Sequence, residues 1–196
     1  MNYQPELLNQ LIKNRRSVFP NQYTGGAIDE NIVQQMLENA NWAPNHGKTE
    51  PWRFFVFTGQ GLQSFANFQA ELYETKTKAE GRFDEKKHQK LKVQPLKASH
   101  IIAIVMQRQQ LEKIPVIEEI EAVACAVQNM YLTATAYGVG AYWSSGGVTY
   151  WEETKEYFGL GADDHLLGFF YIGEIDTPAK EGIRKPIAKK TTWITE

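Results

Sequence analysis

At 196 residues, with 42% hydrophobic and 22% charged side chains, the chain can bury a core without disulfides or metals and reads as a single domain over residues 1–196. A net charge of −2 supplies no basic field for nucleic acid, and no run approaches the roughly 18 apolar residues of a membrane span. The single cysteine, Cys125, excludes an internal disulfide, and Met1–Glu6 carries no basic-then-apolar leader pattern, so a cytoplasmic protein is expected.

Leu7, Leu8, Leu11 and Ile12 recur at helical spacing and predict a helix over Pro5–Arg15. Asp29 is a candidate N-cap for a second helix, whose apolar face is Ile32, Val33, Met36, Leu37 and Ala40 and which ends at Ala43-Pro44. A polar loop then runs to Pro51, which lacks an amide donor and biases Glu50 toward an extended conformation. The aromatic stretch Trp52–Thr58 reads as a strand closed by Gly59-Gln60-Gly61, and Leu62, Phe65, Phe68 and Leu72 suggest a third helix. Residues 74–97, rich in Lys and Glu, read as a solvated helical excursion.

His100–Met106 is a continuous apolar run, as in a buried strand. Ile117–Tyr137 predicts a long helix with small residues on several faces, stopped by Gly138. Gly140–Trp143 is a short strand leading into the loop Ser144-Ser145-Gly146-Gly147. Thr149 is a candidate cap for a short helix ending at Phe158-Gly159, and Leu166–Ile172 is a further strand. The strand-like Thr191–Thr195 has no hairpin partner nearby. Helices precede and separate strands without steady alternation, so the class is α+β.

Several chemistries fail on context. Gly138-Val139-Gly140 follows a helix and opens a strand, the reverse of a dinucleotide fingerprint, and its third glycine is missing. No Gly-x-Ser-x-Gly elbow or Walker pattern is present. The four histidines share no metal-ligand spacing: His88 reads as solvated, while His100 and His165 open strands and read as structural. Cys125, mid-helix among Ala and Val, reads as inert core. His46 stands apart in its proline-bounded loop, where a ligand contact is favoured. Arg15-Arg16-Ser17 offers two guanidinium groups and a hydroxyl to a phosphate. The plainer alternative is a helix C-terminus whose arginines complement the macrodipole. Arg184-Lys185 is a second candidate anion site.

The series Arg15-Arg16-Ser17, Trp42-Ala43-Pro44-Asn45-His46, Pro51-Trp52-Arg53-Phe54-Phe55-Val56 and Gly138-Val139-Gly140-Ala141-Tyr142-Trp143-Ser144-Ser145-Gly146 resembles, in order and spacing, the flavin-dependent nitroreductase family in its compact form. The resemblance implies a mainly antiparallel sheet flanked by helices in an intertwined homodimer, with FMN at the subunit interface. Carried over by motif, Arg15, Arg16 and Ser17 would hold the phosphate and the pyrimidine edge of the ring. Trp42 and His46 would reach the flavin from the other subunit. Trp143, Ser144 and Ser145 would line the ring, a backbone N–H in Ser145-Gly146-Gly147 would approach flavin N5, and Arg16 is the candidate cation for charge on the reduced ring. The family pattern carries an arginine where this chain has Ser144, so Arg184 or Lys185 is the expected substitute.

The implied activity is hydride transfer from NADH or NADPH through flavin N5 to nitroaromatics, quinones or similar acceptors, in ping-pong fashion. The alternatives are other flavin chemistry on the same fold (flavin reduction, reductive dehalogenation, flavin breakdown) and a non-enzymatic flavin-binding protein.

Overall fold

The computed structural model describes residues 4–110 and 113–196. Its elements are α1 (Pro5–Asn14), α2 (Glu30–Asn41), β1 (Trp52–Thr58), α3 (Gln60–Ala79), α4 (Glu85–Val93), β2 (His100–Met106), α5 (Val116–Ala136), β3 (Gly140–Ser144), α6 (Glu152–Tyr157) and β4 (His165–Gly173). The strands form one antiparallel sheet in the order β1-β2-β4-β3, so the expectation of an α+β chain with a mainly antiparallel sheet holds. Both β1 and β2 span the residues expected of them.

β2 is buried along its whole length because a layer packs on each face of the sheet. Ile102, Ile104 and Met106 point toward α2 and α5, where Met36, Val123, Val127 and Met130 complete a mostly aliphatic core. Ile101, Ala103 and Val105 point the other way, into an aromatic core with Phe65, Tyr73, Phe158 and Phe169. The period-2 alternation of the strand thus separates two chemically distinct layers.

The charged segment is helical, as expected: α3 continues into it to Ala79, and Asp84 caps α4 by accepting from the amides of Lys86 and Lys87. Four other expectations need correction. His88 is not solvated. It is 7% exposed, its ring tilted against Phe83, with Nε2 3.4 Å from Glu74. Thr149 does not cap α6; its hydroxyl turns back to Gly146 O at 2.8 Å, and Trp151 occupies the N-cap. Cys125 is exposed on the outer face of α5 rather than buried. Thr191–Thr195 is extended and exposed but forms no strand among the described residues.

Two faces of the molecule end differently. Helix α1 buries none of its residues, and its apolar stripe of Leu7, Leu8 and Ile12 is open, with Ile12 50% exposed. Beside it lies a groove of about 520 Å³, lined among others by Leu11, Trp42, Leu132 and Tyr137, with Trp42 79% exposed.

Candidate functional site

The chain leaves α1 at Arg15 and crosses to the edge strand β3, where Val18 donates its amide to Ala141 O at 2.8 Å. Tyr23 fastens this crossing. Its hydroxyl is shared between Val18 O at 3.0 Å and Tyr171 O at 3.2 Å, and burial raises its pKa well above the usual phenol value. The ring fits only because Gly140 and Gly173 face each other across β3 and β4: a Cβ on Gly173 would collide with the Tyr23 ring, and one on Gly140 would also crowd it. The two glycines of Gly138-Val139-Gly140 therefore serve a helix stop and this seat, not a phosphate loop.

This crossing brings Arg15 and Ser17 over α5. The Arg15 guanidinium lies 4.9 Å from the Tyr131 ring centroid and has no hydrogen-bond or ion-pair partner among the described residues. Ser17 Oγ is 3.3 Å from the Tyr131 hydroxyl, which also accepts the Trp143 amide at 2.6 Å. Trp143 is held again at its ring, the indole Nε1 donating to Leu167 O at 3.1 Å. That reach depends on Gly168, at φ +128°, since a Cβ there would strike Ser144 O and the Trp143 indole. Beyond β3, Ser145, Gly146 and Gly147 are exposed, and their amides donate to no carbonyl among the described residues. An unpaired guanidinium, a nearby hydroxyl and a run of free amides suit an anion joined to a flat ring.

Arg16 lies elsewhere. Its guanidinium donates to Lys13 O, Arg15 O and Lys180 O, clamping the C-terminal tail to the end of α1. These carbonyls engage the group that was expected to meet a phosphate or a reduced ring. Arg184 also stays apart. It is exposed, and its only hydrogen bond among the described residues goes to the adjacent Ile183 O. Past Lys180 the tail makes only local hydrogen bonds among the described residues and leaves Trp193 86% exposed.

Trp42 and His46 also stand away from Arg15, Ser17 and Trp143. Trp42 ends α2 at the rim of the groove, and His46 Nδ1 lies 2.6 Å from Glu118 Oε2 at the start of α5. The His46 loop is strained: Gly47, Lys48 and Glu50 all have φ between +45° and +64°. For Lys48 and Glu50 this costs on the order of 1–3 kcal/mol each. Glu50 is therefore not extended as Pro51 suggested; Asn45 Oδ1 holds its amide at 3.2 Å. Asn41 Oδ1 accepts from the Trp52 indole at 3.0 Å and ties the loop's exit to α2.

Sequence reasoning missed Tyr131, the group through which Arg15, Ser17 and Trp143 meet. Its only local signal is a phenol in a helix otherwise rich in alanine and valine. It also missed the buried Arg108–Glu119 pair at 2.5 Å, which braces the start of α5.

Comparison with known proteins adds three findings. The sequence pattern of the Nitroreductase family matches residues 12–174. The "Putative NAD(P)H nitroreductase YdjA" of Escherichia coli K12 is 32% identical over 177 residues, 90% of this chain and 93% of that protein. Among solved structures, a nitroreductase-like family protein from Bacillus cereus superposes with a TM-score of 0.80 at 26% identity, covering 100% of this chain and 99% of the other. A "putative nitroreductase in complex with fmn" from Desulfovibrio desulfuricans superposes with a TM-score of 0.71 at 23% identity, over 100% and 99% of the chains, and so shares the fold.

Proposed function

The chain belongs to the nitroreductase family, and from that premise we propose that it is an FMN-dependent oxidoreductase that works as a homodimer in the cytoplasm. The observation that carries the reading is the Arg15 guanidinium, unpaired among the described residues and gathered with Ser17 and Trp143 around Tyr131. Bound there, FMN would supply hydride chemistry between NADH or NADPH and a nitroaromatic, quinone or similar acceptor, in ping-pong fashion.

The chain's own residues bind and orient. Arg15 and Ser17 hold the phosphate by charge-assisted hydrogen bonds. Trp143 and Ser144 form the wall against the ring, and the amides of Ser145 and Gly146 approach its edge. Trp42 and His46 of the partner subunit close the site from the opposite side. Arg184 and Lys185, on a tail that extends over the partner, bring back the positive charge that Ser144 lacks. No side chain needs to act as nucleophile, because these groups only fix the geometry and exclude water.

The homodimer draws support from the uncovered apolar stripe of α1 and from the groove with Trp42 at its rim. Large exposed apolar patches mark interaction sites. Among the described residues no helix is long and apolar enough to cross a membrane.

The test is the absorbance spectrum of the purified protein before and after NADH or NADPH. A flavin band, bleached by the reductant and restored by a quinone, is the expected result. A colourless protein that takes up no added FMN overturns the reading.

A further inference from the structure

We propose that Tyr131 is a positioning residue for the cofactor site, aiming the Ser17 hydroxyl proton and the Arg15 guanidinium at one phosphate. The proposal rests on the reading that Arg15 and Ser17 hold that phosphate. It follows from counting protons around a buried oxygen. Tyr131 is 7% exposed, so its hydroxyl must find partners inside the protein. As acceptor it takes the Trp143 amide at 2.6 Å, an N–H of an edge strand that has no further strand to pair with. Its single proton has one acceptor in reach among the described residues, Ser17 Oγ at 3.3 Å. Tyr131 therefore donates and Ser17 accepts. The Ser17 hydroxyl has spent an acceptor site on the phenol, and its own proton is left to point outward. An outward donor suits a phosphate oxygen, which only accepts.

The ring of the same residue does a second job. Arg15 stacks 4.9 Å above its centroid, so the guanidinium is steered by the aromatic face instead of roaming in solvent. Phe170 packs against it in a T-shaped contact at 4.7 Å and restrains the ring. The phenol thus ties three separated pieces of chain into one register: the end of α1, the middle of α5 and the end of β3. Tyr131 itself touches no cofactor in this arrangement; it acts through Ser17 and Arg15.

The experiment compares FMN with riboflavin, which shares the ring and lacks the phosphate. Tyr131→Phe keeps the ring, the Arg15 stack and the core packing, and removes only the hydroxyl. The expected result is an FMN dissociation constant raised about tenfold or more, with riboflavin affinity unchanged within about twofold. Ser17→Ala, at an exposed position that does not threaten the fold, should show the same phosphate-specific loss. The double variant should lose little more than either single one, since both act on one hydrogen bond. An FMN affinity unchanged in Tyr131→Phe, or equal losses for FMN and riboflavin, overturns the proposal. So does additivity in the double variant. A wild-type protein with no affinity for FMN would instead break the functional reading itself, and this proposal with it.

Discussion

The two faces of the sheet solve the problem of ending a protein in opposite ways. On the α3–α4 side an aromatic core is followed outward by charge. Lys78 pairs with Glu74, Lys76 pairs with Glu153, and lysines lie over the rings of Trp151, Phe83 and Tyr73. Long cationic side chains cover aromatic surface with their stems and keep their heads in water. On the α5 side an aliphatic core is followed outward by more apolar surface: Leu7, Leu8 and Ile12 on α1, Trp42 after α2, Ile117 on α5. The first face carries a shell of ion pairs and cation–ring contacts; the second carries an open apolar stripe. The residues assigned to the cofactor all belong to the second face or to its edge.

The largest test of that contrast is to charge the open stripe. If the proposed homodimer forms through this stripe, Leu8→Asp with Ile12→Asp should leave a monomer at micromolar concentration, read by sedimentation, and FMN should be lost with it. Burying such side chains is worth about 1.5–3 kcal/mol each, and a two-fold axis counts every one twice. A dimer that survives both substitutions would place the interface elsewhere. Next in size is Arg15→Ala, expected to weaken FMN binding by about 1.5–3 kcal/mol as a charge-assisted contact is lost. Isothermal titration with FMN reads it, and an unchanged affinity removes Arg15 from the site.

His46→Ala should act more mildly. FMN retention drops, and hydride transfer in the FMN-saturated variant slows by a modest factor because the ring is less well placed. Stopped-flow reduction by NAD(P)H decides this. A loss of a thousandfold or more at full occupancy would mean that His46 moves a proton, since general acid–base catalysis contributes roughly 10²–10⁴-fold.

Smaller again is a pH effect at His100, a buried group on the α2 side. Desolvation lowers its pKa below the ordinary 6.5, with Glu30 opposing. Below about pH 6.5 the unfolded chain binds a proton that the folded chain refuses, so stability falls with pH until the lower folded pKa is passed. Urea midpoints of wild type and His100→Gln, compared from about pH 7.5 to 5.5, should differ in slope, the variant being flatter. The smallest change is Lys78→Ala on the charged face. Its exposed pair with Glu74 is screened by solvent, so the urea midpoint should hardly move, and neither assembly nor FMN content should respond.

The strands were legible because their signals are local. His100–Met106 is apolar throughout, and Trp52–Thr58 is an aromatic run set between a proline and a glycine. The burial of His88 was hidden, because a charge-rich segment gives no hint that one helical face will meet Phe83 and Glu74 across a turn. At the site, motif spacing singled out Arg15, Ser17 and Trp143, which the fold brings together. It could not separate Arg15 from Arg16, since one of the three carbonyls that hold Arg16 lies 164 residues away. Tyr131 was invisible for the same reason: its partners lie 114 and 12 residues off, and no periodicity encodes them.

Gly140, Gly173 and Tyr23 form a lock whose parts make sense only jointly. The genetic consequence is epistasis. Gly173→Ala alone should be severe, because the added methyl displaces a ring that holds the crossing segment to the sheet. Yet the same alanine becomes tolerable once Tyr23 is shortened, as in Tyr23→Leu, since the hollow no longer has to admit a phenol. Selection for restored FMN binding in a Gly173→Ala background should therefore return changes at Tyr23 before changes in either cofactor-binding segment.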